Sequence, residues 1–294
     1  MRAAVCGSPI AHSLSPVLHR AAYAALGLHG WEYDLLEVDE ERLPAVVASL
    51  DAGWAGLSLT MPLKQAVVPL VDEVSDFARA VGAVNTVVVT PRGTGAPGRA
   101  GVHLHAENTD VHGLLAALAE AGAHRVERGA VVGGGATARS ALVALLRAGC
   151  PRPVAVVRSA QRAGELREVA ARLGGEVEVR GWADLPSVLD ADVVVSTVPA
   201  GASDAVAQVL GARPGAGPLL LDVVYAPWPT PLARDWGGPV VGGFEMLLHQ
   251  AAAQVQLMTG RAAPLAQMRA AGLAELRARA GASAAAGARP RPNG

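Results

Sequence analysis

Two side chains of opposite charge, Lys64 and Asp110, stand at matching places in the chain, each just inside a helix that follows a β-like run. "LSLTMPLK" ends a strand at Thr60 and opens a helix at Pro62, so Lys64 falls in the first helical turn. There the partial positive charge of the helix end opposes the ammonium, which suits lysine to acid or base work near neutral pH. Asp110 follows Asn108 and Thr109 into the first turn of "NTDVHGLLAALAEAG", with either of those residues as N-cap, and the same dipole favours its carboxylate. Ordinary first-turn surface is the competing explanation, and it is weaker for Lys64, whose charge is misplaced. Near the amino terminus, "GSPIAHSLSPVLHRAAY" carries Ser13 and Ser15 before Pro16. Ser15 reads as an N-cap with Pro16 at the first helical position. Ser13 is then not needed for capping, and two hydroxyls at the positive end of a helix suit an anion such as a carboxylate.

A separate stretch suits a nucleotide. "VVGGGATA" sets Gly133-x-Gly135-x-x-Ala138 between a β-run and a helix. Gly133 permits the tight turn, Gly135 lets the backbone approach a pyrophosphate, and Ala138 keeps the helix close to the sheet. A tight βα turn without a ligand is the alternative. At the end of the next strand an NAD-binding chain would present an acid to the ribose hydroxyls, whereas "VVRSAQR" offers Arg158, Ser159 and Arg162 and no acid. Guanidiniums suit a 2′-phosphate, which predicts NADP, with unliganded surface arginines as the alternative.

The elements that must hold these groups alternate from residue 2: "RAAVCG", a helix from Pro16, "WEYDLLEV", a helix from Glu40, "WAGLSLT" and a short helix after Pro62. Such βα alternation predicts a mostly parallel sheet covered by helices. "VNTVVVT" and "AGVHLHAEN" flank the hairpin loop "PRGTGAPGR" and should add antiparallel edge strands. A second α/β series runs from "GAVVGGGATARSALVALLRAG" to "LLLDVVY" with nearly continuous apolar strands, as expected when both sheet faces are buried. Helices at about 244–259 and 264–280 follow and are assigned back to the first domain. The expected fold is α/β in two domains, 1–107 (completed by 244–280) and 108–243, with 281–294 disordered because the tail lacks an apolar period.

At 294 residues, 51% hydrophobic and 17% charged with a formal net charge of −1, the chain suits soluble globular domains and offers no electrostatic case for nucleic acid. Its apolar runs are shorter than a membrane span, and the amino terminus lacks a signal-peptide pattern, so a cytoplasmic location is expected. Cys6 and Cys150 are expected to be reduced core thiols. His103 and His105 share a strand face, but two ligands without a third nearby make a weak metal case, and they are read as solvated hairpin residues; no metal is expected. His12 has nothing to activate, and the absence of a Gly-x-Ser-x-Gly elbow excludes a serine hydrolase of that type.

Eight stretches in order resemble the shikimate dehydrogenase family: "GSPIAHSLSPVLH", "LSLTMPLK", "VGAVNT", "ENTDVHG", "VVGGGATARS", "STVPAG", "DVVYAPWPTPL" and "GGFEMLLHQAAAQVQLMTG". The resemblance implies a substrate domain and a Rossmann domain across a cleft, and NADPH-dependent reduction of 3-dehydroshikimate to shikimate in aromatic amino acid biosynthesis. It further implies that Ser13 and Ser15 bind the substrate carboxylate, that Thr60, Lys64, Asn85, Asp110 and Gln250 contact the ring hydroxyls, and that Thr109 and Tyr225 line the same pocket. Lys64 and Asp110 would form the proton-transfer pair. On the cofactor side it implies Asp76, Gly133, Gly134, Gly135, Ala136, Thr137, Ala138, Val157, Arg158, Ser159, Arg162, Thr197, Val223, Gly243 and Met246. Met246 and Gln250 are four apart and share a helix face. The chain departs from the family at Arg20, at Glu107, and at Val157, where a polar ribose contact is lost. A quinate/shikimate dehydrogenase preferring NAD and a catalytically silent NADP-binding homologue are the rivals, and a homodimer is one assembly the sequence leaves open.

Overall fold

In the computed structural model, which describes residues 1–92, 101–211, 215 and 217–287, twelve strands form two six-stranded sheets. The first contains β1 (Arg2–Gly7), β2 (Glu32–Glu37), β3 (Trp54–Leu59), β4 (Glu73–Val74), β5 (Thr86–Pro91) and β6 (Val102–Glu107) in the order β2-β1-β3-β5-β6-β4. Helices α1 (Ser15–Ala25), α2 (Leu43–Ala48), α3 (Leu63–Ala66) and α4 (Asp76–Val81) connect them. The unbroken run Ala3-Ala4-Val5-Cys6 in β1 is buried throughout, which requires cover on both faces.

The second sheet holds β7 (Gly129–Val132), β8 (Val154–Val157), β9 (Glu178–Gly181), β10 (Val193–Ser196), β11 (Leu219–Asp222) and β12 (Val240–Gly242). Every pairing is parallel, in the order β9-β8-β7-β10-β11-β12. The order reverses between β7 and β10, the switch point where doubly wound folds open a crevice at the carboxyl ends of the strands. The intervening helices are α5 (Asp110–Glu120), ahead of β7, then α6 (Ala136–Arg147), α7 (Ala160–Arg172), α8 (Ala200–Leu210) and α9 (Pro231–Arg234). The chain closes with α10 (Gly243–Thr259) and α11 (Leu265–Gly287).

Helices α5 and α10 join the halves. Val111, Leu114 and Leu118 of α5 pack with Val131, Leu142 and Leu145 around the second sheet. Phe244, Leu248, Ala251 and Val255 of α10 instead share a core with Leu14 and Leu18 of α1 and Met268 of α11. The two helices touch at Gly113, where a Cβ would lie 2.5 Å from the Met246 carbonyl oxygen. Arg269 of α11 donates to Glu120 of α5 at 2.7 Å and to Glu245 of α10 at 2.9 Å.

Several expectations are corrected. Helix α1 starts one residue earlier than expected: Leu14 is the N-cap and Ser15 is the first helical residue. The antiparallel strand β5 is interior, and the edge is the two-residue β4, parallel to β6. A two-residue strand is too short to show a period of two in sequence. Helix α2 begins at Leu43, not Glu40, because the Asp39 carboxylate first accepts the Arg42 N–H in a turn. The carboxyl-terminal helix runs through Gly287, not to 280, since alanine-rich "ASAAAG" lacks an apolar period but has high helix propensity. The rest of the expected tail, 288–294, and the hairpin tip, 93–100, lie outside the described residues. β4 also alters the histidines: His103 Nε2 lies 3.1 Å from Glu73 Oε2 and His105 Nε2 lies 2.9 Å from Glu107 Oε1, so both are carboxylate-paired.

Candidate active site

Neighbouring strand ends bring the polar residues together. Ser58, Thr86 and Glu107 are cross-strand partners on β3, β5 and β6, so the residues just beyond them, Thr60, Asn85 and Thr109, emerge side by side at one end of the sheet. The Val84 N–H donates to the Lys64 carbonyl at 2.8 Å and ties α3 to the same edge. Helix α5 begins at Asp110, directly after β6 and its two-residue connector; Asn108 supplies its cap, accepting the Val111 N–H at 3.2 Å.

Lys64 Nζ lies 2.5 Å from Asp110 Oδ2, and both side chains are buried. Asn85 Nδ2 donates to Asp110 Oδ1 at 2.8 Å, so each carboxylate oxygen has its own donor. Because α3 is a single turn, the charge opposite Lys64 is mainly the Asp110 carboxylate and only slightly a helix dipole. The Asn85 amide also donates to Gln250 Oε1 at 3.1 Å, while its own oxygen accepts the Thr109 N–H at 2.8 Å.

Ser13 does have a structural role: its Oγ accepts the Ser15 N–H at 3.2 Å. That bond uses a lone pair and leaves the hydroxyl hydrogen of Ser13 available to an anion. A cavity of about 190 Å³ is lined by Ser13, Ser15, Thr60, Lys64, Asp110, Tyr225 and Gln250, and also by Thr137, Val223, Gly243 and Met246, which were expected on the cofactor side. Asn85 and Thr109 are outside this lining, buried behind it, where they hold Asp110 and Gln250.

The nucleotide elements sit at the β7–β10 crevice. Gly133 adopts φ +121°, open to glycine and strained for other residues, and its missing Cβ is where Thr197 packs. Gly134 is needed because a Cβ would press 2.7 Å from Arg162 Cβ, while Gly135 faces open space. Helix α6 starts at Ala136 and Thr137 without a side-chain cap, leaving its first N–H groups free for phosphate, and Ala138 is fully buried. A Cβ on Gly243 would collide with the Val223 backbone. These features fit a dinucleotide.

The adenosine end is less uniform. Val157 is buried in the core, so only its backbone is available to a ligand, and Ser159 is exposed at the start of α7. Arg158 lies over the Trp182 ring, 4.4 Å from guanidinium carbon to ring centroid. Arg162 is already paired with Glu165 at 3.0 Å, which narrows the 2′-phosphate role to Arg158 first. Asp76 is exposed in the first turn of α4, outside the cavity lining.

The cavity also includes Ser58 and Gln254, which the sequence reading passed over. The signals were present: Ser58 shares a strand face with Thr60, and Gln254 lies one turn beyond Gln250 in an otherwise alanine-rich stretch.

Comparisons with known proteins agree with this layout. Residues 5–87 match the family described as Shikimate dehydrogenase substrate binding domain, and residues 243–271 match Shikimate 5'-dehydrogenase C-terminal domain. A curated relative from Synechococcus sp., Shikimate dehydrogenase (NADP(+)), is 37% identical over 281 residues, covering 90% of each chain. The crystal structure of Mycobacterium tuberculosis shikimate dehydrogenase superposes with a TM-score of 0.81 at 40% identity, covering 93% of this chain and 99% of that one. The Thermus thermophilus enzyme, solved in complex with NADP(H) and shikimate, gives 0.77 at 31% identity, covering 92% and 98%.

Proposed function

The chain belongs to the shikimate dehydrogenase family, and from that premise we propose that it catalyses the reversible NADPH-dependent reduction of 3-dehydroshikimate to shikimate. The observation that carries this is the buried Lys64–Asp110 pair, 2.5 Å apart, opening on a cavity that Thr137, Val223, Gly243 and Met246 also line.

NADPH, when bound, supplies the hydride that converts the ketone carbon to an alkoxide. The chain must then deliver a proton to the developing oxyanion, and Lys64 Nζ is the cavity's only lysine donor. Proton transfer leaves a neutral amine that solvent reprotonates; in the oxidative direction that amine takes the alcohol proton. Asp110 holds Nζ in place, and Asn85 in turn holds Asp110. Ser13 and Ser15 clamp the substrate carboxylate, Thr60 and Gln250 contact ring hydroxyls, and Tyr225 closes the pocket. On the cofactor side, the turn Gly133–Gly135 and the start of α6 hold the diphosphate, and Arg158 takes the 2′-phosphate.

No helix among the described residues is long and apolar enough to cross a membrane. We place the protein in the cytoplasm, in keeping with Cys6 and Cys150 as free, buried thiols. The test follows absorbance of NADPH formed from shikimate, repeated with quinate and with NAD. Rapid turnover of shikimate with NADP is expected; preference for quinate with NAD, or no turnover with any pair, would overturn the proposal.

A further inference from the structure

Behind the Lys64–Asp110 pair runs a buried chain of hydrogen bonds in which each donor points toward the carboxylate. Tyr33 donates to Ser58 Oγ at 2.6 Å, and Ser58 donates to Gln254 Oε1 at 2.8 Å. Gln254 Nε2 donates to Thr86 Oγ1 at 2.9 Å and to the Asn85 carbonyl at 3.2 Å. Thr86 donates to Asn85 Oδ1 at 2.9 Å, and Asn85 Nδ2 donates to Asp110 Oδ1 at 2.8 Å.

The order is constrained by chemistry. An amide nitrogen can only donate, so the Thr86 oxygen must accept from Gln254, and its single hydrogen goes to Asn85 Oδ1 at 2.9 Å, nearer than Thr109 Oγ1 at 3.4 Å. Asn85 Oδ1 is thereby saturated from the side of Thr86 and the Thr109 N–H, and its NH₂ group is turned toward Asp110 Oδ1, Thr109 Oγ1 and Gln250 Oε1. Gln254 holds Asn85 a second time, directly at its carbonyl. Ser58 and Gln254 border the cavity, whereas Thr86 and Asn85 are buried outside its lining, so at those two links water is not at hand to replace a missing bond.

We infer that Gln254 is a positioning residue of the reaction: through Thr86 and the Asn85 carbonyl it fixes the Asn85 amide, and Asn85 fixes the carboxylate that holds Lys64. It reaches the chemistry from α10, one turn beyond Gln250, so the helix that closes the substrate pocket also braces the proton-transfer pair from behind. The inference rests on the proposed function above, since it presumes that Lys64 and Asp110 move the proton.

The experiment compares wild type, Gln254→Leu, Thr86→Val and Thr86→Ser for kcat and KM with shikimate, with NADPH affinity from fluorescence titration. Gln254→Leu and Thr86→Val are expected to lower kcat about tenfold while NADPH affinity stays within about twofold, and Thr86→Ser, which keeps the hydroxyl, should restore kcat. Thr86→Val removes the hydroxyl at nearly constant volume and Thr86→Ser keeps it while deleting a methyl, so the comparison holds even if Gln254→Leu fails to fold. Wild-type kcat in Thr86→Val would overturn the inference, as would an equal loss in Thr86→Val and Thr86→Ser. A wild-type enzyme without turnover would instead overturn the proposed function, so the two failures are distinguishable.

Discussion

The two sides of the cavity are built from different materials. On the substrate side, the proposed function rests on buried side chains recruited from distant segments: Lys64 after β3, Asn85 before β5, Asp110 after β6, and Gln250 and Gln254 on α10. On the cofactor side it rests mostly on backbone, with a glycine turn, an uncapped helix start and a crevice at a topological switch point. A side-chain network fixes atoms to fractions of an ångström but fails when one member is lost. A backbone cradle tolerates side-chain change and fails only where a Cβ intrudes. Chemistry should therefore be lost by mutation on one side and cofactor affinity on the other.

The largest expected effect tests that division directly. Lys64→Ala should lower kcat about 1,000-fold, within the range for losing a positioned proton donor, with little change in NADPH affinity. It also leaves Asp110 buried without its cation, at a cost of about 3–5 kcal/mol in folding stability. Adding Asp110→Asn should recover much of the melting temperature and none of the turnover. If NADPH affinity fell as steeply as kcat, the division between the two sides would be wrong.

Acid should also separate them. His19 on α1 is fully buried, stacked on Tyr33 with centroids 3.9 Å apart, and donates from Nδ1 to the Ser15 carbonyl at 2.9 Å, while Nε2 has no partner among the described residues. Burial lowers its pKa to about 4, against a smaller opposing effect of the Ser15 bond. The unfolded chain takes up a proton near 6.5 and the folded one resists until about 4, so stability is full above pH 6.5 and falls as pH drops through that window. The loss approaches about 3 kcal/mol by pH 4. No histidine lies between His124 and His249, so the second sheet and helices α6–α9 lack this liability, which His112 on α5 shares because burial lowers its pKa. There the buried Asp222 has a carboxyl pKa raised by burial, which the Thr230 and Val224 hydrogen bonds only partly offset, and its effect has the opposite sign. Urea denaturation at several pH values, repeated with His19→Gln, should show a pH slope that the variant flattens.

The same contrast explains what could be read from the chain. Gly133-x-Gly135-x-x-Ala138 is local, so its turn, its helix and its place at the sheet were all visible in eight consecutive residues. The pairing of Lys64 with Asp110 is separated by 46 positions, and only the family resemblance joined them. Asn85 was assigned to ring contact on that basis, and its bonds to Asp110 and Gln250 from a buried position depend on packing that no spacing records. Gln254 and Ser58 went unassigned because their partners, Thr86 and Tyr33, read as ordinary strand residues. Glu73 escaped notice because its strand is two residues long, which left His103 and His105 to be read as solvated.

On the cofactor side the expected effect is smaller and selective. Arg158→Ala should weaken NADP binding about tenfold, the scale of one hydrogen bond to a charged group, and leave NAD binding unchanged. Arg162→Ala should do less, because that guanidinium is already bonded to Glu165. Isothermal titration with both cofactors measures the difference. Equal losses for NADP and NAD would mean that Arg158 holds the adenosine by stacking with Trp182 and reads no phosphate.

At Ser13, binding and folding share an atom, and the expected effect is divided between them. Ser13 Oγ accepts the Ser15 N–H at the start of α1, while the residue lines the cavity with its hydroxyl hydrogen free to donate there. Ser13→Ala removes both at once. Losing the bond to a helix-start N–H costs about 0.5–1 kcal/mol of stability, because nearby water can still reach an amide at the cavity rim. Losing a hydroxyl that donates to a carboxylate costs about 1.5 kcal/mol or more, since the acceptor is charged. The KM for shikimate should therefore rise about tenfold while kcat and NADPH affinity hold, and the melting temperature should drop by only a few degrees. A drop in melting temperature with an unchanged KM would reduce Ser13 to a capping residue and shift the carboxylate contact to Ser15 alone.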